Sequence, residues 1–447
     1  MKPTADTPIQ DVNRAVVLRP LVGTGAGARD VEARLQEAVG LALALGLEVA
    51  HAEAAPLRQV SPRTLLGAGR VERLKQYVEE DGVGVIVIDA ALSPVQQRNL
   101  EQDTGAKVID RTGLILEIFG LRARTKEGRL QVELARQGYE RSRLVRTWTH
   151  LERQRGGLGK TGGPGETQIE LDRRQIADRI VKLKRELEEV RRTRGLQRRA
   201  RTRAGLPAVV LVGYTNAGKS TLFNRLTQAG VLAKDMLFAT LDPTARAVKL
   251  PSGRSVVMSD TVGFISDLPT ELVAAFRATL EAVTEADLLI HVRDIAHAES
   301  DQQRADVMGV LAQLAKDADG KSPPVLEAWN KIDLLDDSTR EARTRRAQAL
   351  EEGDLAPVAI SAATGEGMDA LLAAVDRAAF SATRIVTITL APGDGKTRAR
   401  IAAAGRILEE SADESGAMTL KAELSAEDAA RFAPPDSSPE APRAAAE

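Results

Sequence analysis

Gly213-Tyr214-Thr215-Asn216-Ala217-Gly218-Lys219-Ser220 fits the pattern G-x-x-x-x-G-K-[ST]. A loop of this kind at a helix start aims backbone N–H groups and the positive end of the helix dipole at phosphates. Lys219 is placed to reach the β- and γ-phosphates, and Ser220 to hold Mg²⁺ through its hydroxyl, with Thr221 next on the same turn. Many ATP enzymes share this loop, so the base has to be read elsewhere. Asn330-Lys331-Ile332-Asp333 does this. Asp333 can accept two hydrogen bonds from a guanine edge that adenine cannot donate, and Asn330 can meet the carbonyl side of the base. Asp260-Thr261-Val262-Gly263 and Ser361-Ala362 complete a set of four segments that, in this order, spell a guanine-nucleotide site for GTP and GDP.

The expected catalytic set is Lys219, Thr240 and Gly263. Asp260 is placed to orient a magnesium-bound water, and Gly263 to offer its backbone N–H to the γ-phosphate. A magnesium-ligating threonine belongs in the loop after the first helix. Thr240, in Phe238-Ala239-Thr240-Leu241, is the choice, with Thr244 second. Ras-like GTPases carry a glutamine just after D-x-x-G to orient the attacking water. Here that position is Phe264, which cannot do so. Either another residue positions water, or a partner completes the site. Asn216 bears on this point, with two readings open. Its oxygen helps to ligate K⁺ beside the phosphates, adding positive charge where it develops in the transition state, or it only stabilises the loop.

Each motif follows a strand-like run. Pro207 to Val212 leads into the phosphate loop, Ser255 to Ser259 into Asp260, Val325 to Trp329 into Asn330, and Pro357 to Ile360 into Ser361. Asp287 to Val292 makes a further strand. Ligands of open α/β sheets bind beyond such strand ends. Upstream, residues from about 14 to 128 alternate short apolar runs with helical patterns, which favours a parallel sheet with helices on its faces. Gly67-Ala68-Gly69-Arg70 reads there as a plain turn or an anion cradle.

Between these regions the chain changes character. Arg141 to Arg203 carries 19 Lys and Arg against 8 Asp and Glu, a surplus of 11 in a chain whose net charge is −1. Ile176, Ile180, Leu183, Leu187 and Val190 alternate steps of four and three, a heptad seam. Gly156 to Gly165 holds six glycines and Pro164, which argues against helix. The pattern predicts an antiparallel helical hairpin with a glycine-rich tip and arms of about 25 residues, each about 38 Å long. The basic surplus points to a polyanion such as an RNA backbone. A solvated helical face is the alternative. Tyr139 and Trp148 either stack on bases or pack against the seam.

The fold class expected is α/β, with an N-terminal αβ domain over 1–129 and a basic hairpin over 130–203 with its tip at 156–165. A P-loop GTPase domain with a parallel-type sheet follows over 204–380, then a small C-terminal αβ domain over 381–432 and a disordered tail over 433–447. At 447 residues and 43% hydrophobic content the chain is long enough for several domains, and with 3% aromatics its cores must be aliphatic. The absence of cysteine excludes disulfides, thiolate zinc sites and cysteine nucleophiles. No run of about 18 apolar residues suggests a membrane span, and residues 1–13 lack a signal-peptide core. A cytoplasmic protein is expected.

Longer strings carry a family resemblance. Gly162-Gly163-Pro164-Gly165-Glu166-Thr167-Gln168-Ile169-Glu170, Leu237 to Thr244, Asp260 to Ile265, Ser93 to Leu100, and Asp110-Arg111-Thr112 resemble the HflX family of the Obg–HflX GTPases. The resemblance runs from about residue 14 to about 380. It implies the domain order above and GTP hydrolysis stimulated on the large ribosomal subunit, with a role in splitting or rescuing stalled ribosomes under stress. It implies a hydrophobic residue in place of the catalytic glutamine, as Phe264 is. It also implies a hairpin tip near the peptidyl-transferase centre, which puts Gly157, Lys160, Gly163 and Gly165 against ribosomal RNA. A monomer is expected. Arg293-Asp294-Ile295-Ala296 departs from the commoner Val-Asp-Ala-Ser of the family. Two other classes stay open: an RNA-remodelling enzyme that also uses ATP, and a nucleotide-sensing scaffold without turnover.

Overall fold

The computed structural model describes residues 11–22, 31–154, 164–203, 206–228, 237–238, 240–241, 244–266, 282–317, 322–349, 355–381, 383–413 and 415–432. The tip residues Gly157, Lys160 and Gly163, and the tail over 433–447, lie outside them.

Strands β1 (Asp11–Val22), β2 (Glu48–Leu57), β3 (Val83–Ile88) and β4 (Lys107–Asp110) form an all-parallel sheet in the order β2-β1-β3-β4. Alternate residues serve opposite faces. Ala15, Val17, Val85 and Val87 pack towards α1 (Val31–Ala44) and α4 (Arg111–Arg122). Val16, Leu18, Ile86 and Ile88 pack towards α2 (Ala68–Asp81) and α3 (Pro94–Thr104). Helix α3 opens with a reciprocal capping box between Ser93 and Gln96. Gly67 to Arg70 starts α2, and the Arg70 guanidinium donates to Glu53 Oε2 at 3.1 Å.

The sequence pattern gave no sign of α4. Its apolar residues cover most of its surface instead of one stripe, because the helix is buried between two domains. Asp110 caps it, accepting from Gly113 N at 2.8 Å.

Helix α5 spans Lys126–Gln154 and α6 spans Pro164–Arg203. Helix α5 starts four residues before the expected boundary at 130, because Thr125 Oγ1 caps Gly128 N at 3.0 Å. Helix α6 has 40 residues and extends about 60 Å, well beyond the arm length expected. It opens at Pro164, so Pro164 and Gly165 begin a helix instead of ending the tip. Proline suits that place, where its missing N–H would have had no helical partner. Ile180, Leu183 and Leu187 are buried as the seam predicts, and so are Val132 and Ala135 on α5, the helix that α6 packs against. Tyr139 is half-buried and packs against the core cluster that includes Val132 and Ala135. Its hydroxyl donates to Asp110 Oδ1 at 2.8 Å, and Arg143 lies over its ring at 4.8 Å.

The GTPase sheet has the order β10-β9-β8-β5-β7-β6, from β5 (Ala208–Val212), β6 (Thr244–Lys249), β7 (Ser255–Asp260), β8 (Leu288–Asp294), β9 (Val325–Asn330) and β10 (Val358–Ala359). All pairings are parallel except β6 with β7. Helices α7 (Lys219–Thr227), α8 (Ser300–Asp317), α9 (Asp337–Ala349) and α10 (Met368–Ala379) accompany it. A small antiparallel sheet, β11 (Thr383–Leu390), β13 (Met418–Ser425) and β12 (Gly405–Ala412), packs with α11 (Gly395–Ala404) and α12 (Ala426–Phe432) around Ile401 and Leu420.

The core of the N-terminal sheet continues into the GTPase domain. Leu41, Ile115 and Phe119 share one cluster with Phe238, Leu241, Phe264 and Val307. Phe119 and Phe238 meet edge to face at 4.7 Å. Among the described residues no helix is long and apolar enough to cross a membrane.

Candidate guanine-nucleotide site

Strand β5 is buried along its whole length and delivers Gly213 at its end. A Cβ on Gly213, at φ +148°, would run into the Val292 carbonyl of β8. Asn216 takes φ +60°, a conformation asparagine adopts more readily than most residues, and Gly218 takes φ +94°. A Cβ on Gly218 would collide with the Asn330 amide. The loop therefore closes tightly over the start of α7. Lys219 is buried, and its Nζ donates to Gly213 O at 3.1 Å and Tyr214 O at 2.7 Å. Burial pulls its pKa down to about 8, against the opposing attraction of Asp260.

Ser220, Thr240 and Asp260 converge. Ser220 Oγ donates to Asp260 Oδ2 at 2.6 Å and lies 2.7 Å from Thr240 Oγ1. Thr244, the second choice, opens β6 instead. Asp260 is fully buried, which pushes its carboxyl pKa up, and its Oδ1 has no partner. These are hard oxygen donors, the type Mg²⁺ takes, and they fit an ion that completes its shell with phosphate oxygens and water. Among the described residues no three His, Cys, Asp or Glu gather into a metal cluster by themselves.

Thr261 Oγ1 donates to Leu211 O at 2.6 Å, so its hydroxyl is a tether to β5. Val262 is half-buried against the core shared with the N-terminal domain. Gly263 lies against the phosphate loop: a Cβ there would be 2.8 Å from Thr215 Cα and 3.0 Å from Lys219 Nζ. Phe264 is buried and bridges the loop through its backbone, with Thr215 N donating to Phe264 O at 2.7 Å and Phe264 N to Gly213 O at 3.0 Å. Ala217 is buried, and Thr221 half-buried on α7.

At the base end, Asn330 Nδ2 donates to Ala217 O at 2.8 Å and Asn330 Oδ1 accepts from Ala362 N at 2.9 Å. Lys331, at φ +69°, pairs with Asp294 at 2.7 Å. Ser361 is fully buried and accepts from Thr364 N at 3.1 Å. Asp333 Oδ1 and Thr215 Oγ1 are buried without a partner. The residues of the four motifs are thus brought to one edge of one sheet. Three of their oxygens, on Thr215, Asp260 and Asp333, are buried and unsatisfied, an arrangement that costs free energy unless a ligand satisfies them.

Sequence reasoning missed the contacts that tie this site to the N-terminal domain. Tyr214 donates to Glu37 of α1 and accepts from Ser266 N at 2.8 Å. Burial first, and then the Glu37 charge, push the Tyr214 pKa well above its ordinary value. Arg111 donates to Asp89 at 2.5 Å, Glu37 at 2.6 Å and Ser266 O at 2.9 Å. Asp110-Arg111-Thr112 stood out as a string, but nothing in the string indicates that Arg111 reaches 155 residues along the chain. Arg293, which departs from the family pattern, is accounted for locally. It donates to Glu327 at 2.9 Å and Asp301 at 2.6 Å beside the Trp329 ring. Burial disfavours the Glu327 carboxylate, but hydrogen bonds from Trp329, Arg304 and Arg293 outweigh it and hold the pKa at about 2.

Three family models match the chain in succession: a "GTP-binding GTPase N-terminal" model over residues 32–120, a "GTP-binding GTPase Middle Region" model over 122–201, and a "50S ribosome-binding GTPase" model over 208–331. The chain is 51% identical to the GTPase HflX of Magnetococcus marinus, covering 90% of each chain. It is 44% identical to the GTPase HflX of Escherichia coli, covering 87% of this chain and 89% of that one. Among solved structures it is similar to the SsGBP–GDP complex, with TM-score 0.49 and 23% identity over 83% of this chain and 99% of that one. With identity of this order to curated relatives across most of its length, and with the motif residues gathered at one sheet edge, the chain belongs to the HflX family of GTPases.

Proposed function

We propose that this protein hydrolyses GTP on the large ribosomal subunit and uses the cycle to split or rescue ribosomes, in the cytoplasm and as a monomer. The observation that carries the nucleotide assignment is the set of three unpartnered buried oxygens, on Thr215, Asp260 and Asp333. Asp333 takes the N1–H and 2-amino edge of guanine. Asn330 and Ala362 face its carbonyl, and Lys331 and Ser361 support the pocket. Gly213 to Thr221 surrounds the phosphates, and Lys219 supplies a buried positive charge to them. Asp260, Thr261, Val262 and Gly263 form the segment that meets the γ-phosphate. Ser220 and Thr240 would hold Mg²⁺, with Asp260 on a bound water, and that ion would neutralise charge on the β- and γ-oxygens. Water attacks the γ-phosphorus in line, giving GDP and phosphate. Phe264 is apolar and buried, so it holds no water. K⁺ beside Asn216, or ribosomal contact, completes the site.

The partner reading rests on the hairpin. A surplus of 11 positive charges over Arg141 to Arg203 suits an RNA backbone. Gly157, Lys160 and Gly163, with Gly165 at the start of α6, are the residues we place against that RNA, because a glycine-rich sequence brings few side chains to obstruct a narrow cleft. The family model described as a 50S ribosome-binding GTPase supports the same partner. The test is GTP turnover with and without isolated large ribosomal subunits. We expect stimulation of about tenfold or more, abolished in Lys219→Ala and weakened by deleting 156–165. Turnover unchanged by the subunits would separate the GTPase from the ribosome.

A further inference from the structure

We propose that Arg225 is a positioning residue for the recognition of guanine O6, acting through the turn at 361–365. The inference rests on the base-site reading above. Arg225 sits in the last turn of α7, the helix whose first turn carries Lys219 and Ser220. Its Nε donates to Ala362 O at 2.7 Å, and its Nη2 donates to Ala363 O. One rigid, planar fork thus grips two successive carbonyls of the turn, with the strength of charged donors.

The opposite edge of the turn points at the base motif. Ala362 N donates to Asn330 Oδ1 at 2.9 Å, and Asn330 in turn donates to Ala217 O at 2.8 Å. The turn is closed on itself by Gly365 N to Ser361 O at 2.8 Å and by Ser361 N to Glu366 O at 3.0 Å. Arg225 therefore fixes where a preformed turn lies relative to the phosphate-loop helix. The seat is shaped for the guanidinium. A Cβ on Gly365 would lie 2.6 Å from Arg225 Nη1 and 3.3 Å from its Cζ, and Gly365 takes φ +99°.

Guanine carries an acceptor at position 6, where adenine carries an amino donor. The Ala362 N–H, shared between Asn330 Oδ1 and a base carbonyl at that position, separates the two bases, provided it does not drift. Asp333 reads the N1–H and 2-amino edge, so the two halves of guanine recognition are held by different parts of the structure and are separable.

The experiment measures the affinity of the full chain for GDP, IDP and 2-aminopurine riboside diphosphate, which lacks the O6 acceptor and with it the N1–H, so that it binds more weakly from the outset and only its change between variants is read. In Arg225→Met, GDP and IDP should each weaken by about tenfold, one hydrogen bond's worth. The 2-aminopurine nucleotide should change less than about twofold, and kcat at saturating GTP should hold while KM rises. Arg225→Lys, which keeps the charge but not the fork that spans both carbonyls, should give part of the same O6-selective loss. Parallel weakening of all three nucleotides, or no weakening, would overturn the role of Arg225. Asp333→Asn is the control on the base site: it should shift preference from GDP towards XDP, and no shift would overturn the base-site reading itself.

Discussion

Arg111→Met should loosen the junction between the N-terminal and GTPase domains, and the structure sets the size of the effect. Arg111 is 6% exposed, against 1% for Asp89 and 12% for Glu37. Burial disfavours its charge, but Asp89 and Glu37 outweigh that and raise its pKa above the ordinary arginine value. The substitution leaves Asp89 with Arg19 alone and Glu37 with Tyr214 and Ser266. Removing one partner of a buried pair strands the other charges and costs about 3 kcal/mol, the low end for such breaks because both carboxylates keep a neighbour. A multidomain chain does not unfold in one step, so a single melting temperature is a poor readout. Amide hydrogen exchange is the suitable assay, in peptides covering α1 and residues 255–266. The Ser266 amide reports directly, since it donates to Tyr214 at 2.8 Å. About 3 kcal/mol corresponds to exchange roughly a hundredfold faster there. The double variant Arg111→Met/Asp89→Asn should recover part of the protection, because it removes a stranded charge. Wild-type protection in the single variant, or a double variant no better than the single, would refute the electrostatic reasoning.

Other perturbations probe the site and its surroundings. Burial holds the Lys219 pKa at about 8, and bound phosphates favour the charged form, so GDP binding should take up a proton between about pH 8 and 9 and weaken as pH rises further. In the nucleotide-free protein the unfolded chain binds more protons than the folded one between about pH 8 and the ordinary lysine value of 10.5, so this residue's contribution to stability rises with pH across that window. Calorimetry in buffers of different ionisation enthalpy checks the uptake, and none over this range would contradict the buried charge. Thr240→Ala should raise the Mg²⁺ concentration needed for GTP binding by about tenfold while leaving metal-free GDP binding alone, as a Mg²⁺ titration would show. Arg254 donates to Asp376 at 2.6 Å and to Glu423, and lies 3.9 Å from the Phe380 ring centroid. Arg254→Met should therefore speed protease cleavage near residue 381 by on the order of tenfold, and an unchanged cleavage rate would deny the clasp any role.

The nucleotide motifs were legible in the sequence because each is a short local pattern at the end of a buried strand. β-Branched runs such as Val209-Val210 and Val256-Val257 announce the strands, and glycines mark the loops. The structure sets Thr240 within hydrogen-bond distance of Ser220, whereas Thr244 opens β6. What stayed hidden depends on contacts between distant parts of the chain. Helix α4 shows no narrow apolar stripe because Leu114, Ile115, Leu116, Ile118 and Phe119 are buried around most of its girth, leaving only Glu117, Gly120 and Leu121 exposed. Pro164 and Gly165 look like breakers in a window of glycines, yet a proline at a helix start is favoured. Tyr139 has the right type for base stacking, but its hydroxyl belongs to Asp110.

Tyr214 occupies one of the free positions of G-x-x-x-x-G-K-[ST], where phosphate chemistry makes no demand on the side chain. The structure uses that freedom to face Glu37 and Ser266. The phosphate loop therefore has an inner side, where Lys219 is held, and an outer side bonded to the N-terminal domain. The segment from Gly263 to Ser266 joins the two. It is held by Thr215 N to Phe264 O at 2.7 Å, Phe264 N to Gly213 O at 3.0 Å, Ser266 N to Tyr214 at 2.8 Å and Arg111 to Ser266 O at 2.9 Å. At about 1 kcal/mol for each of the neutral bonds and more for the charged one, the set is worth at least about 4 kcal/mol. That exceeds the roughly 1–3 kcal/mol typical of coupling between sites. A γ-phosphate that draws Gly263 towards itself has to break these bonds or move α1 with the segment. Hydrogen exchange in α1 should therefore differ between the GDP-bound protein and the same protein with a non-hydrolysable GTP analogue. Identical exchange in the two states would mean that the segment and the N-terminal domain stay fixed through the cycle.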